Sequence, residues 1–132
     1  MSEHPIGYYI VKLRATFGTV MPGAPTLTLS LGVNAPTGAV NGTAEITQAL
    51  PTPFGQLHFP VTGHLFSPSI AHGLNLLVLD GQYVVSFPPP AIGSYLAHFN
   101  GGFVVNGEWT GEGSYSYGNH RVGPCHVTRL PD

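Results

Sequence analysis

Residues 26–33 read TLTLSLGV, with Leu27, Leu29, Leu31 and Val33 on one side and Thr26, Thr28 and Ser30 on the other. Strict alternation of this kind is the mark of a half-buried antiparallel strand. Ala35-Pro36-Thr37-Gly38 follows, where Pro presets φ and Gly can take φ > 0, so the spacing predicts a turn. The next stretch, AVNGTAEITQ, alternates again, with Val40, Gly42, Ala44 and Ile46 opposed to Asn41, Thr43, Glu45 and Thr47. The two segments therefore read as a hairpin.

The same period runs outward in both directions. Upstream, Tyr9, Val11, Leu13, Ala15 and Phe17 share a side, while Lys12 and Arg14 face water. Downstream, Leu57, Phe59, Val61, Gly63 and Leu65 form a stripe that Pro60 interrupts, which favours an edge strand or a bulge. In residues 74–87, LNLLVLDGQYVVSF, the Asp80-Gly81 pair predicts a type I′ turn between two aliphatic arms. Pro88–Pro90 would end that hairpin, since consecutive prolines cannot donate to a ladder. A further hairpin or meander covers residues 94–117, and PCHVTRL closes the chain. No helical period of useful length occurs. The expectation is one domain over residues 1–132, all-β: a single antiparallel β-barrel or sandwich of about eight strands.

Composition narrows the function classes. Charged residues make up 8% of the 132 and the net charge is −2. Lys12, Arg14, Arg121 and Arg129 are the whole basic complement, too few to neutralise phosphates, so no nucleic-acid partner is expected. No apolar run reaches the roughly 18 residues of a membrane span. The N-terminus lacks a basic region and a long apolar run, which gives a cytoplasmic expectation, with release by a signal-independent route left open. Near-zero charge weakens colloidal repulsion, and strands with few Lys gatekeepers pair edge to edge, so a homo-oligomer is expected. The seven histidines would make such association pH-sensitive if several stood at an interface.

Chemistry-bearing patterns are sparse. His58 and His64 lie six residues apart, roughly 20 Å along a strand, too far to share one ion. No HxH, HExxH, CxxC, GxSxG or P-loop occurs, so neither a metal nor a cofactor is expected. Cys125 reads as a small core residue of the last strand.

Residues 95–120, YLAHFNGGFVVNGEWTGEGSYSYGNH, offer turns at Asn100-Gly101 or Asn106-Gly107. The second allows the longer ladder and sets Val104 against Trp109, His98 against Tyr115 and Leu96 against Tyr117. Gly101 and Gly102 would then meet Gly111 and Gly113 in a waist free of side chains. His98, Asn100, Trp109, Tyr115 and Tyr117 would ring it as a ligand-binding face for a carbohydrate or a small apolar molecule. The alternative is that the glycines let a barrel strand coil and the aromatics fill the core.

The residues GAPTLTLSLGVNAPTGAVNGTAEITQAL at 23–50 resemble the opening of an uncharacterised bacterial family, the domain-of-unknown-function 1842 family, with HPIG at 4–7 and the SYSY segment in support. The resemblance implies a bacterial source and a small all-β unit, and it carries no residue role. The functional expectation is a non-catalytic binding or assembly module, lectin-like or binding a small ligand through the aromatic, glycine-lined barrel face. One alternative is an oligomeric structural or host-interaction protein without a pocket. Another is a small barrel enzyme of the isomerase or cyclase type, with His98 or a glutamate as base.

Overall fold

A computed structural model describes residues 7–17, 25–47, 56–67, 73–86 and 90–131. Its strands are β1 (Tyr8–Phe17), β2 (Thr26–Asn34), β3 (Ala39–Thr47), β4 (Gln56–Phe66), β5 (Asn75–Ser86), β6 (Ser94–Val105), β7 (Gly111–Tyr117) and β8 (His120–Arg129). Each pairs antiparallel with the next, and β8 returns to β1 through Leu13↔Arg129 to Phe17↔Cys125. The expected eight-stranded antiparallel fold is therefore present, as a closed barrel rather than a sandwich. No described helix is long and apolar enough to cross a membrane.

Alternation explains the barrel directly. Val11, Leu13 and Ala15 of β1 and Leu27, Leu29, Leu31 and Val33 of β2 are all at most 1% exposed. Their neighbours Lys12, Arg14 and Thr16 lie outside and exposed. Each fully buried Leu or Phe contributes about 1.5–3 kcal/mol through removal of apolar surface from water. The β2–β3 turn forms as the sequence predicts. Gly38 sits at φ 79°, and its N–H donates to the Asn34 carbonyl at 2.7 Å.

Two sequence expectations are overturned. Asp80-Gly81 is no turn: β5 runs through it unbroken, with Asp80 opposite Asn100 and Gly81 opposite Phe99 on β6. Neither residue has the positive φ that a type I′ turn demands. The inward stripe Leu77, Leu79, Gly81, Tyr83 keeps its period across the pair, and that continuity outweighs the local turn signal. β5 ends at Ser86, and Pro88 and Pro89 lie outside the described residues.

The second correction concerns the β6–β7 register. Val104 opposes Glu112 rather than Trp109, a slip of three residues. The loop is the cause. Gly107, Glu108 and Trp109 form it, with Trp109 in the left-handed region at φ 63°. Asn106 holds it in place: its N–H donates to the Thr110 carbonyl at 2.9 Å, and its Oδ1 accepts from the Glu108 and Thr110 amides. Glycine is the usual residue at this position of a three-residue hairpin, and a side chain there costs about 1–2 kcal/mol. Burial of the indole offsets it, since Trp109 is 6% exposed and meets Tyr9 edge-on at 6.3 Å.

An odd slip exchanges the faces of the paired strands. The predicted glycine waist does not form. Gly113 lies opposite Phe103 and Gly101 opposite Tyr115, and the Phe103 ring occupies the space that the two glycines leave. A Cβ at Gly113 would run into the Gly102 carbonyl and that ring, whereas one at Gly102 would point into open space. Gly113→Ala is therefore expected to cost about 1–3 kcal/mol through overpacking. Gly102→Ala should stay within about 0.5 kcal/mol of the parent. Urea unfolding followed by circular dichroism checks both, and equal losses would contradict the packing described.

Candidate functional site

The ladder between β4 and β5 runs from Phe66↔Leu76 to Val61↔Gly81 and stops there. Both strands continue beyond it. β4 extends back to Gln56, paired with β3 alone, and β5 extends to Ser86, paired with β6 alone. This leaves an open seam in the wall of an otherwise closed barrel.

Backbone phase gives the reason. The backbone groups of successive strand residues point to alternate neighbours. The Leu65 amide donates to the Gly38 carbonyl at 2.8 Å, so the odd residues of β4 face β3 and the even ones face β5. The His98 carbonyl accepts from the Gly118 amide at 3.0 Å, so the even residues of β6 face β7. Gln82, opposite His98, then faces away from β6 and toward β4. The next hydrogen-bonded pair after Thr62↔Asp80 would be Pro60 with Gln82. Pro60 has no N–H to give. Only half of that pair forms, with the Gln82 amide donating to the Pro60 carbonyl, and the ladder ends there.

The sequence reading of Pro60 as an edge or bulge residue needs refinement. β4 is no edge strand, for it pairs with β3 through Thr43↔Pro60 and with β5 beyond. Pro60 instead makes a local edge. Past it, Val84 and Ser86 direct their amides and carbonyls into the seam, and the ladders give them no partner on that side among the described residues.

A cleft of about 520 Å³ opens along this seam, lined among others by Pro60, Tyr83, Leu96, His98, Phe99 and Asn100. Its base is aromatic. Phe59 stacks on Tyr83 at 5.1 Å and meets Phe99 at 5.2 Å. Its rim is polar, with Gln82, His98 and Asn100 exposed on the outer face. Burial raises the Tyr83 phenol, and neighbouring Tyr117 and Tyr95 add to that.

The five residues predicted to share a ligand face are divided by the barrel wall. His98 and Asn100 stand outside, beside the cleft, while Trp109, Tyr115 and Tyr117 are buried in the core. Trp109 lies beyond the far end of β6, roughly 24 Å along the strand from His98 to Val105 alone. Tyr115 and Tyr117 stack at 6.1 Å, and Tyr115 also meets Phe99 at 6.0 Å. The signal that sequence reasoning undervalued was Pro60, together with the unbroken run through Asp80-Gly81 that carries β5 past it.

Among the described residues no three His, Cys, Asp or Glu side chains are placed to hold a metal ion. His58 faces Glu45 across β3–β4, and His126 faces Glu112 across β7–β8. Cys125 is buried in β8, as its sequence position suggested, and burial pushes its thiol up.

The fold and the seam define a small up-and-down barrel with a filled interior and a β4–β5 ladder that stops at Val61↔Gly81. The chain belongs to the family described as Domain of unknown function (DUF1842), whose pattern matches residues 6–121. No curated protein matches it.

The Tyr115 hydroxyl is buried without a hydrogen-bond partner. Its pKa is raised well above the usual 10.0 by burial first, then by Cys125 and Tyr117. A phenol with a raised folded pKa adds no pH dependence below 10, and its stabilising contribution is lost as the pH climbs from 10 toward the folded value. Tyr115→Phe removes the orphan hydroxyl and is expected to stabilise the protein by about 1 kcal/mol at pH 7. It should also lessen the loss of stability between pH 10 and 11. Urea midpoints of parent and variant at these pH values provide the check.

Proposed function

We propose that this protein is a non-catalytic binding or assembly module that takes an extended polypeptide segment as an added strand at the β4/β5 seam. The observation that carries this reading is that β5 runs past the end of the β4–β5 ladder, so that among the described residues no strand pairs with the amides and carbonyls of Val84 and Ser86 on that side. Backbone amides and carbonyls are strong hydrogen-bonding groups, and an incoming strand supplies these exposed residues with both donor and acceptor at the right spacing. Strand addition of this kind draws affinity from main-chain hydrogen bonds and specificity from alternate side-chain contacts. Here one set of side chains would meet Tyr83 and Phe99, and the other the rim formed by Gln82, His98 and Asn100.

A second reading uses the same cleft for a carbohydrate or a small apolar ligand. The aromatic base beneath amide and imidazole groups favours it. Catalysis has less support. The inward-facing phenols of Tyr9, Tyr83 and Tyr115 and the thiol of Cys125 are all pushed up, away from neutral pH. That is the reverse of what a general base requires.

Fluorescence anisotropy with a panel of labelled, β-branched, uncharged ten-residue peptides tests the main reading. At least one peptide should bind in the micromolar range. Val84→Pro removes a donor facing the seam and spares the hydrogen bonds to β6, so it should weaken binding about tenfold, the worth of one hydrogen bond. Val84→Thr, which keeps the donor, should bind as the parent does. Failure of the whole panel would contradict strand addition. Binding of a glycan or a hydrophobe that Val84→Pro leaves untouched would favour the second reading.

A further inference from the structure

Resting on the strand-addition reading, we infer that the partner strand is β5 of a second copy of this chain, paired antiparallel about a two-fold axis at Val84. Antiparallel pairing about Val84 sets Val84 against its own copy, Gln82 against the copy's Ser86 and Ser86 against the copy's Gln82. One operation gives partners to the Val84 amide and carbonyl and joins the Ser86 amide to the copy's Gln82 carbonyl, groups that β4 leaves without a partner among the described residues. The contact is isologous and closes on itself.

Side chains agree with that register. Val84 lies on the outer face opposite Leu96, and the two are 66% and 50% exposed. Two-fold pairing would join them into one apolar row, Leu96, Val84, then Val84 and Leu96 of the copy. Cross-strand apolar pairs of this kind stabilise a sheet.

Room and charge favour a copy as well. Ser94–Ala97 fall outside the β6–β7 pairing, which begins with the Gly118 amide on the His98 carbonyl. The ribbon of 83–86 and 94–97 thus has no strand beside it on either side among the described residues. From Gly81 to Gly107 the chain contains no Asp, Glu, Lys or Arg, so two such ribbons meet without like-charge repulsion. No lysine stands on the edge to prevent it. A lipid surface is a poorer occupant for the same patch, because hydrocarbon cannot satisfy the unpaired backbone groups. The shared edge is short and falls at the low end of interface sizes, below about 1,200 Å² in total, so the dimer should be weak and concentration-dependent.

Sedimentation velocity of the full chain from 2 to 500 µM (about a 250-fold range) is expected to show monomer passing into dimer. Val84→Lys and Val84→Pro should remain monomeric throughout. In a Cys125→Ser background, Val84→Cys should form a disulfide-linked dimer on mild oxidation, and Ser94→Cys should not. A dimer that survives both Val84 substitutions and fails to cross-link would overturn the inference, as would flotation of the protein with neutral phosphatidylcholine vesicles. A monomer at every concentration that still binds a labelled peptide at the seam would overturn the self-pairing alone. Loss of both activities would remove the strand-addition reading too.

Discussion

Each strand of a closed barrel needs a hydrogen-bonding neighbour on both sides, and Pro60 lacks the donor that one such contact demands. The rest of the architecture takes its functional character from that missing N–H. On the other side of β4, Thr43↔Pro60 continues the ladder with β3, because Pro60 directs no hydrogen bond there. Toward β5 the pairing ends at Val61↔Gly81, and the last residues of β5 are held by β6 alone. One substitution of imino for amino acid thus turns a wall into a wall with an edge. A closed barrel normally abolishes edges. This one keeps a short stretch of edge beyond Pro60 and sets an aromatic cluster behind it.

The interior leaves little choice about where function can reside. Phe103 fills the space above Gly101 and Gly113, Trp109 and Tyr9 pack together beside the β6–β7 loop, and Phe59, Phe99, Tyr83 and Tyr115 make the opposite cluster. Among the described residues no polar or charged side chain apart from the phenols and Trp109 is buried. A barrel packed in this way has given its lumen to stability. Recognition then falls to the wall, where backbone groups lack partners and His98, Asn100 and Gln82 reach solvent.

Much of the fold was legible because alternation is a strong, local and redundant signal. TLTLSLGV and AVNGTAEITQ carry their own faces, and the turn between them is encoded by Pro36 and Gly38. Two features were not legible, for the same physical reason. Asp80-Gly81 and Asn106-Gly107 are both good turn dipeptides, and only the neighbouring strands decide which of them bends. β4 and β6 hold Asp80-Gly81 extended, whereas β6 and β7 are free to turn after Asn106. The turn then takes Trp109 into a conformation usually reserved for glycine, because its indole is buried against Tyr9. Propensity alone would not place a tryptophan there, and the three-residue slip that follows moves Tyr115 and His98 to opposite sides of the wall. Half of the predicted ligand face, His98 and Asn100, does border the cleft. The aromatic half belongs to the core. Pro60 was visible in the sequence from the start, but its meaning depended on barrel closure, a long-range fact.

The account stands on the open seam, and residue-resolved amide exchange in a dilute sample tests it most directly. Amides of Val84 and Ser86 should exchange quickly, while that of Gln82, bonded to Pro60, and those of Tyr83 and Val85, bonded to β6, are protected. In Pro60→Val the restored amide at position 60 should itself be protected, because it donates to the Gln82 carbonyl. Slow exchange at Val84 and Ser86 in the parent would mean that the wall is already closed and that the site described here does not exist.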